Sequence, residues 1–477
     1  MKLTYGIKDK PGFGKTILFA LQQLLAIMAA TIAVPNIIGH GMSPAAALFG
    51  AGVGTLVYLL FTRFRSPVFL GSSFAFLGSM AAAFAGGVSM SLGYLGLLLG
   101  AVFAGLVYVV IAIIVKLTGA GWINKLMPAV VIGPTVAIIG LSLAGNAVGD
   151  LFSGNVMHKV NTTIIVNDAA VENLESLTLN GQAVDLTSLE QNASPYLCLL
   201  CGLVTLFVTM LCSVYGKKFL KMIPFIIGIC AGYALAAIFT VIGTNANIPA
   251  MQIIDFTKFA SMQWYPQFTF LTAFSGGYEY GEVGNIGTYI ATIAVAYIPV
   301  AFVVFAEHIA DHKNISSIIE SDLLADPGLH NTLLGDGVGS MAGAFFGGCP
   351  NTTYGESIGC VAISGNASVI TIFTTAVMAI VISFIAPFST FLSTIPSCVM
   401  GGVCMALYGF IAVSGLKMVQ KVDLEDNRNL FVVSAILIAG IGGMTISVGP
   451  VVLTEVASAL ILGIVVNVVL GLKKKER

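Results

Sequence analysis

The chain has 477 residues, of which 57% are hydrophobic and only 9% charged, with a mean hydropathy of +0.96 and a formal net charge of -1. A soluble domain carries roughly 25% charged residues. A water-facing shell cannot be built from so few, so the solvent for most of this chain is lipid, and the near-neutral balance supplies no field that would draw nucleic acid.

A helix needs about 20 apolar residues to cross the hydrocarbon core. The basic stretch from Met1 to Lys15 runs into a long apolar segment with no small-residue cleavage site, which predicts an uncleaved first helix and no signal peptide. Apolar runs predict spans at residues 16–38, 45–62, 92–117, 127–148, 195–213, 222–242, 286–306, 369–388, 396–414, 430–446 and 451–472. Segments 67–85, 331–346 and roughly 349–365 have spanning length but are rich in Gly, Ser and Thr. Counting them gives about 14 spans. Small residues suit such a protein, because they let helices approach and let backbones break where a ligand binds.

Lysines and arginines mark one side of the membrane. Lys8, Lys10 and Lys15 precede the first span, Arg63 and Arg65 follow the second, and Lys217, Lys218 and Lys221 follow the sixth. Lys417, Lys421 and Arg428 lie after the twelfth, and Lys473 begins the tail. Loops at 40–44 and 86–91 carry neither Lys nor Arg. This asymmetry predicts a multi-pass protein of the cytoplasmic membrane with both termini in the cytoplasm.

The resulting division places spans one to five in residues 1–148, spans six and seven in 195–243, spans eight to eleven in 286–388, and the last three spans with the tail in 389–477. Two polar segments, 149–194 and 244–285, are expected to be extracellular caps or hairpins; strand-like alternation occurs at 162–166 and 175–179. The interrupted segments fall third and tenth, each third in a group of seven. That placement predicts two repeats of seven spans with inverted topology and a binding site between the breaks.

The eight cysteines lie almost wholly in apolar runs. Cys198 and Cys201 form a CxxC inside a predicted span, where packing is a better account than a metal or a redox pair. With no metal-ligand spacing, nucleophile–base pair or phosphate loop, an enzyme, a metal or a cofactor is not expected.

Acids inside spans are costly and mark function. Glu307 ends a long apolar run and continues as Glu307-His308-Ile309-Ala310-Asp311-His312, so on a continuing helix Glu307 and Asp311 share a face. Glu356 lies in Pro350-Asn351-Thr352-Thr353-Tyr354-Gly355-Glu356, a polar stretch that reads as a short strand leading into a half-helix. Gly71-Ser72-Ser73-Phe74-Ala75-Phe76 is the matching break in the first half. Broken spans expose N–H donors that only a cavity accommodates, ionised carboxylates accept, and Phe74 and Tyr354 offer aromatic faces. A small planar ring bearing both N–H and C=O groups, such as a nucleobase, suits that set better than an inorganic anion does. Glu307, in a low-dielectric pocket, is placed to exchange a proton during transport. Glu455 reads as a helix-start acid, and Glu279 and Glu282 as solvated loop residues.

These strings resemble the nucleobase–ascorbate transporter (nucleobase:cation symporter-2) family. The likeness is carried by Leu21-Gln22 through Thr31-Ile32-Ala33-Val34-Pro35, by the Gly71–Phe76 and Pro350–Glu356 strings, and by Ala306-Glu307-His308-Ile309. It continues in Asp322 to His330, in Met400-Gly401-Gly402-Val403 and in Leu407-Tyr408-Gly409. The Pro-Asn-Thr-Thr-Tyr-Gly-Glu string favours the pyrimidine branch over the purine branch.

The resemblance implies an all-α polytopic fold of 14 spans in two inverted sevens, with short strands in spans three and ten. A core of spans one to four and eight to eleven would move, elevator-like, against a gate of the remaining spans in a homodimer. It implies proton-coupled uptake of uracil or a related pyrimidine, with Glu307 and Glu356 accepting hydrogen bonds from the base. The backbones of Phe74 and Gly355 would meet its polar edge, and Ala30 and Tyr354 would line the pocket. Glu307 would be linked to the proton, and Asp311 becomes its candidate helper: the family's pattern has a His four residues after the first Glu, and His312 would point about 100° away. The alternatives are a purine symporter of the same family, an anion transporter of the same fold, and a non-transporting scaffold or sensor.

Overall fold

The computed structural model describes residues 3–119, 122, 128–161, 164–166, 169–171, 177–179, 182–184, 187–217, 219–448 and 451–472. The strand-like residues 162, 163, 175 and 176, Lys2, Lys218 and the basic tail from Lys473 lie outside them.

In lipid a segment must satisfy its own backbone, so the apolar runs fold as helices. The first half comprises α1 (Phe13–Ile38), α2 (Pro44–Phe61), strand β1 (Leu70–Ser72), a 3-10 turn at Phe74–Phe76, α3 (Leu77–Ala82), α4 (Met90–Thr118), α5 (Ala129–Ser142), α6 (Ala144–Asp150), α7 (Pro195–Tyr215) and α8 (Pro224–Asn245). The second comprises α9 (Ile286–Ile319), α10 (Leu329–Gly347), strand β2 (Asn351–Thr353), α11 (Gly355–Ser364), α12 (Val369–Ile382), α13 (Ala386–Thr394), α14 (Ser397–Val419), α15 (Asn427–Ile441) and α16 (Glu455–Leu472). Among the described residues eight helices, counting α5 and α6 as one, are long and apolar enough to cross a membrane. The pair α12–α13, bent by 86°, makes a ninth, and α15 and α16 are shorter apolar helices.

Local chemistry sets several helix starts. The Ser43, Ser89 and Asn285 side chains accept from the backbone N–H groups of Ala46, Leu92 and Thr288, capping α2, α4 and α9. At its other end α9 does not stop near Ala306, where the apolar run ends. It continues unbroken to Ile319: Glu307, His308, Asp311 and His312 meet protein partners or a cavity, while Lys313, Asn314 and Ser317 are exposed.

The helices pack in two groups. In one, α2 and α4 flank α10, with α1, α9 and α12 around them. In the other, α14 packs on α5 and α7, α8 packs on α7, and α15 packs on α16 and α5. Glycines permit the closest approaches: a Cβ on Gly54 of α2 would lie 2.7 Å from the Gly339 carbonyl oxygen of α10, and that proximity lets the broken segments thread between these helices.

The polar segment 149–194 carries antiparallel pairs Met157–Asn161 with Thr187–Gln191, Ile164–Val166 with Ala169–Val171, and Leu177–Leu179 with Gln182–Val184. Segment 244–285 differs from a hairpin: its described elements are 3-10 turns at Pro249–Met251, Phe256–Ser261 and Gly281–Val283 and a short helix at Thr269–Ala273. Proline and Gly-rich sequence, with little β-branched alternation, accounts for the difference.

Candidate functional site

The two broken segments meet. β1 and β2 pair antiparallel in the register Leu70 with Thr353, Gly71 with Thr352 and Ser72 with Asn351. Ser73 N–H donating to the Pro350 carbonyl (3.0 Å) and Tyr354 N–H donating to the Phe69 carbonyl (3.2 Å) extend the ladder. Such strands survive at membrane depth only because each completes the other's backbone.

Side chains fix the pair to its surroundings. Asn351 Nδ2 donates to the Gly50 carbonyl at 3.0 Å, Tyr354 hydroxyl donates to the Ser72 carbonyl at 2.7 Å, and Gln23 Nε2 of α1 donates to Ser357 Oγ at 2.5 Å. From the strands the chain enters the Phe74 turn on one side and α11 on the other. The first N–H groups of a helix have no intrahelical acceptor, and neither Ser73 nor Tyr354 caps its element with a side chain. Both starts therefore offer backbone donors.

A cavity of about 380 Å³ opens beside them. Phe74, Tyr354, Gly355 and Glu356 line it from the broken segments, and Glu307 and Asp311 from α9. The continuing helix puts those two acids one turn apart on one face. Asp311 Oδ2 accepts from Thr353 Oγ1 at 2.7 Å, which joins α9 to β2. Neither Glu307 nor Glu356 is engaged by another side chain among the described residues. Val136 and Ile139 of α5 with Leu407 and Phe410 of α14 form the facing apolar wall, and Lys221 also borders the cavity.

Six of the predicted site residues thus surround one space. Ala30 does not border it: it is buried in α1, and Ala26, one turn earlier, lines the cavity instead. Glu455 occupies the first turn of α16 beside a separate, much smaller cavity. Glu279 and Glu282 are exposed. Cys198 and Cys201 are buried and free, and among the described residues no group of His, Cys, Asp or Glu is arranged to hold a metal ion.

The sequence reading missed a second polar cluster on the other side of α9. His308 Nδ1 lies 2.6 Å from Asp336 Oδ2 of α10, both side chains being 1% exposed, and its Nε2 lies 3.0 Å from Thr332 Oγ1. The His312 ring stacks on His308 at 4.0 Å; its Nδ1 donates to the His308 carbonyl at 2.8 Å, and its Nε2 lies 2.7 Å from the Tyr58 hydroxyl. That hydroxyl is also 2.7 Å from Ser66 Oγ. The signal for this cluster was available: His308 and His312 repeat at the same four-residue spacing as the acids, and Asp336 is an acid within a predicted span. The apolar wall from α5 and α14 carried no comparable signal, since nothing separates Val136 or Leu407 from other apolar residues of their spans.

A polytopic helical bundle that holds paired carboxylates and uncapped helix starts around an internal cavity is the architecture of a membrane transporter. The family model described as "Permease family" (Xan_ur_permease) matches residues 14–180 and 180–449, and the chain belongs to that family, the one its motifs indicated. The uracil permease of Bacillus subtilis (strain 168) is 36% identical over 480 residues, covering 100% of this chain and 97% of the relative. The uracil permease of Bacillus caldolyticus is 36% identical over 468 residues, covering 97% and 94%. Among solved structures, the transmembrane domain of a cyanobacterial bicarbonate transporter matches with a TM-score of 0.59 at 15% identity, covering 98% of this chain and 100% of that one, a likeness of fold.

Proposed function

We propose that this protein carries uracil or a closely related pyrimidine into the cell together with a proton. The observation that carries the reading is the convergence of Glu307 and Glu356, from separate segments, on one cavity where the Phe74 and Gly355 backbones supply donors. A pyrimidine imide edge alternates N–H and C=O groups. Its N–H groups would donate to the carboxylates and its carbonyls would accept from the backbone, while Phe74 and Tyr354 cover the ring. The names of the full-length relatives support the same substrate class.

Fourteen spans in two inverted sevens fit the element order, because β1–α3 and β2–α11 each stand third in a group of seven and pair antiparallel. The group around α10 would be the mobile core and the group around α14 the gate. The cavity lies where they meet, so sliding one against the other would change which side it faces. Lys221, in the short helix Phe219–Met222 of a connection assigned to the cytoplasm by its charge, borders the cavity; the conformation described is then inward-facing, with both termini on the same side. Glu307, one turn from Asp311 and across from Glu356, would take up the proton outside and lose it inside, coupling arising from differential binding in the two states. Most residues of the gate helices α7 and α8 are not buried within the chain, leaving surface for lipid and a second copy.

Anion transport on the same fold is disfavoured by three carboxylates in the site. A purine substrate is the competing reading within the family, and competition of labelled uracil uptake by xanthine decides between them. In proteoliposomes, Glu356→Ala should weaken equilibrium uracil binding roughly 10–150-fold, the range for one hydrogen bond to a charged group. Glu307→Gln should remove the sensitivity of accumulation to a protonophore. Normal accumulation in both variants overturns the assignment.

A further inference from the structure

A second polar cavity, of about 300 Å³, lies along the same seam between the two helix groups. The same elements line both cavities. α1 contributes Ala26 to the first and Asn36 to the second, α14 contributes Leu407 and then Met400, and the α5–α6 segment contributes Ile139 and then Asp150. At 1.5 Å per residue the second set lies about 10–17 Å further along each element. Between the two, Ala33, Ala147 and Val403 are each no more than 1% exposed and pack the seam shut. Met157, at the rim of the second cavity, is 53% exposed, so this space reaches the surface at the end away from Lys221.

Its polar groups divide into those already used and those left free. Asn155 is spent on structure, donating from Nδ2 to the Ile395 carbonyl (3.1 Å) and accepting the Ser397 N–H (3.2 Å). Lys258 gives one donor to the Ser393 carbonyl at 2.9 Å and keeps two. The Asp150 carboxylate has no hydrogen-bond or ion-pair partner among the described residues, and Asn36 Nδ2 is buried without an acceptor. A free carboxylate acceptor and free ammonium donors thus border one water-accessible space. Unpaired polar groups that border such a space are met by water or by a ligand.

We propose that this second cavity is an outer binding site for the same class of molecule, a small planar ring with an imide or lactam edge, resting there before the seam opens to the central site. Asp150 accepts the ring N–H, and Lys258 donates to the neighbouring carbonyl. The proposal rests on the nucleobase reading of the central cavity, and the test separates the two.

The probe is a cysteine in place of Ile37, which lines the second cavity without supplying a polar group. Ile37→Cys is combined with Glu356→Ala, and modification by a membrane-impermeant maleimide added outside intact cells is followed, with the chain lacking the new cysteine as the blank. Labelling from outside, slowed by uracil but not by 1,3-dimethyluracil, is the expected result, with the half-protecting uracil concentration within about 2-fold of that for Ile37→Cys alone. Adding Asp150→Asn should raise that concentration about 10-fold or more. Absence of labelling from outside, labelling indifferent to uracil, or protection already lost with Glu356→Ala overturns the outer site. Failure of the central reading shows elsewhere: uracil accumulation would then survive both Glu356→Ala and Glu307→Gln.

Discussion

One helix carries two polar faces that are held in opposite ways. On the cavity side of α9, Glu307 has no side-chain partner and Asp311 has a single one, Thr353. On the inner side, His308 and His312 are tied to Asp336, Thr332, Tyr58 and a backbone carbonyl. Residues adjacent in sequence therefore differ in what remains to be satisfied. A polar group facing a cavity can wait for a ligand because water holds its place meanwhile, whereas one packed among helices must find its partner in the protein. The inner face fixes the rotation of α9 against α2 and α10, and that rotation aims Glu307 at the cavity.

The contrast is sharpest in Glu307→Gln. The change keeps shape and loses charge at a group with no partner to abandon, so proton-driven accumulation should collapse while the unfolding free energy in detergent stays within about 0.5 kcal/mol of wild type, as for a site without structural bonds. A large loss of stability would mean that Glu307 is a structural residue after all. Asp336→Ala should act the other way round. It strands His308 in a dry interior, which costs about 1–3 kcal/mol for the unpaired group before the cavity left behind is counted, and uptake falls with it because α9 loses its register. Uptake lost at an unchanged melting temperature would instead put the inner face in the proton path.

Why the outer face stood out in the sequence and the inner one, though signalled, was passed over has a physical answer. Glu307 and Glu356 stand beside long apolar runs and Gly/Pro breaks, and a charge next to twenty apolar residues is conspicuous. Most spans were readable for the same reason, since lipid permits only helices or closed sheets. Element ends were less so: α9 overruns its apolar stretch because His308 and His312 are satisfied by α2 and α10, partners remote in sequence. The 86° bend between α12 and α13 and the exclusion of Ala30 from the cavity likewise depend on tertiary packing. Asp336 lay in a glycine-rich segment with low apolar content, and there an acid does not stand out against its neighbours.

Two weaker tests grade the same contrast. Tyr58→Phe deletes a hydroxyl lying 2.7 Å from both His312 Nε2 and Ser66 Oγ, all of it buried. A loss of about 1 kcal/mol in unfolding free energy is expected, near the net value of one internal hydrogen bond, with uracil affinity unchanged.

Thr353→Val removes a bond of the same 2.7 Å length, from Thr353 Oγ1 to Asp311 Oδ2, and should cost least. The substitution preserves the shape of the side chain, so β2 keeps its register with β1. Asp311 borders the cavity, so water can replace the lost donor, and the penalty for an unpaired carboxylate does not arise. Two hydrogen bonds of equal length would then differ in worth because only one of the abandoned groups has water within reach. Differential scanning of the two variants side by side measures that difference. A Thr353→Val loss equal to or larger than that of Tyr58→Phe would show that Asp311 sits in a dry wall, and the cavity would then present Glu307 and Glu356 alone to a ligand.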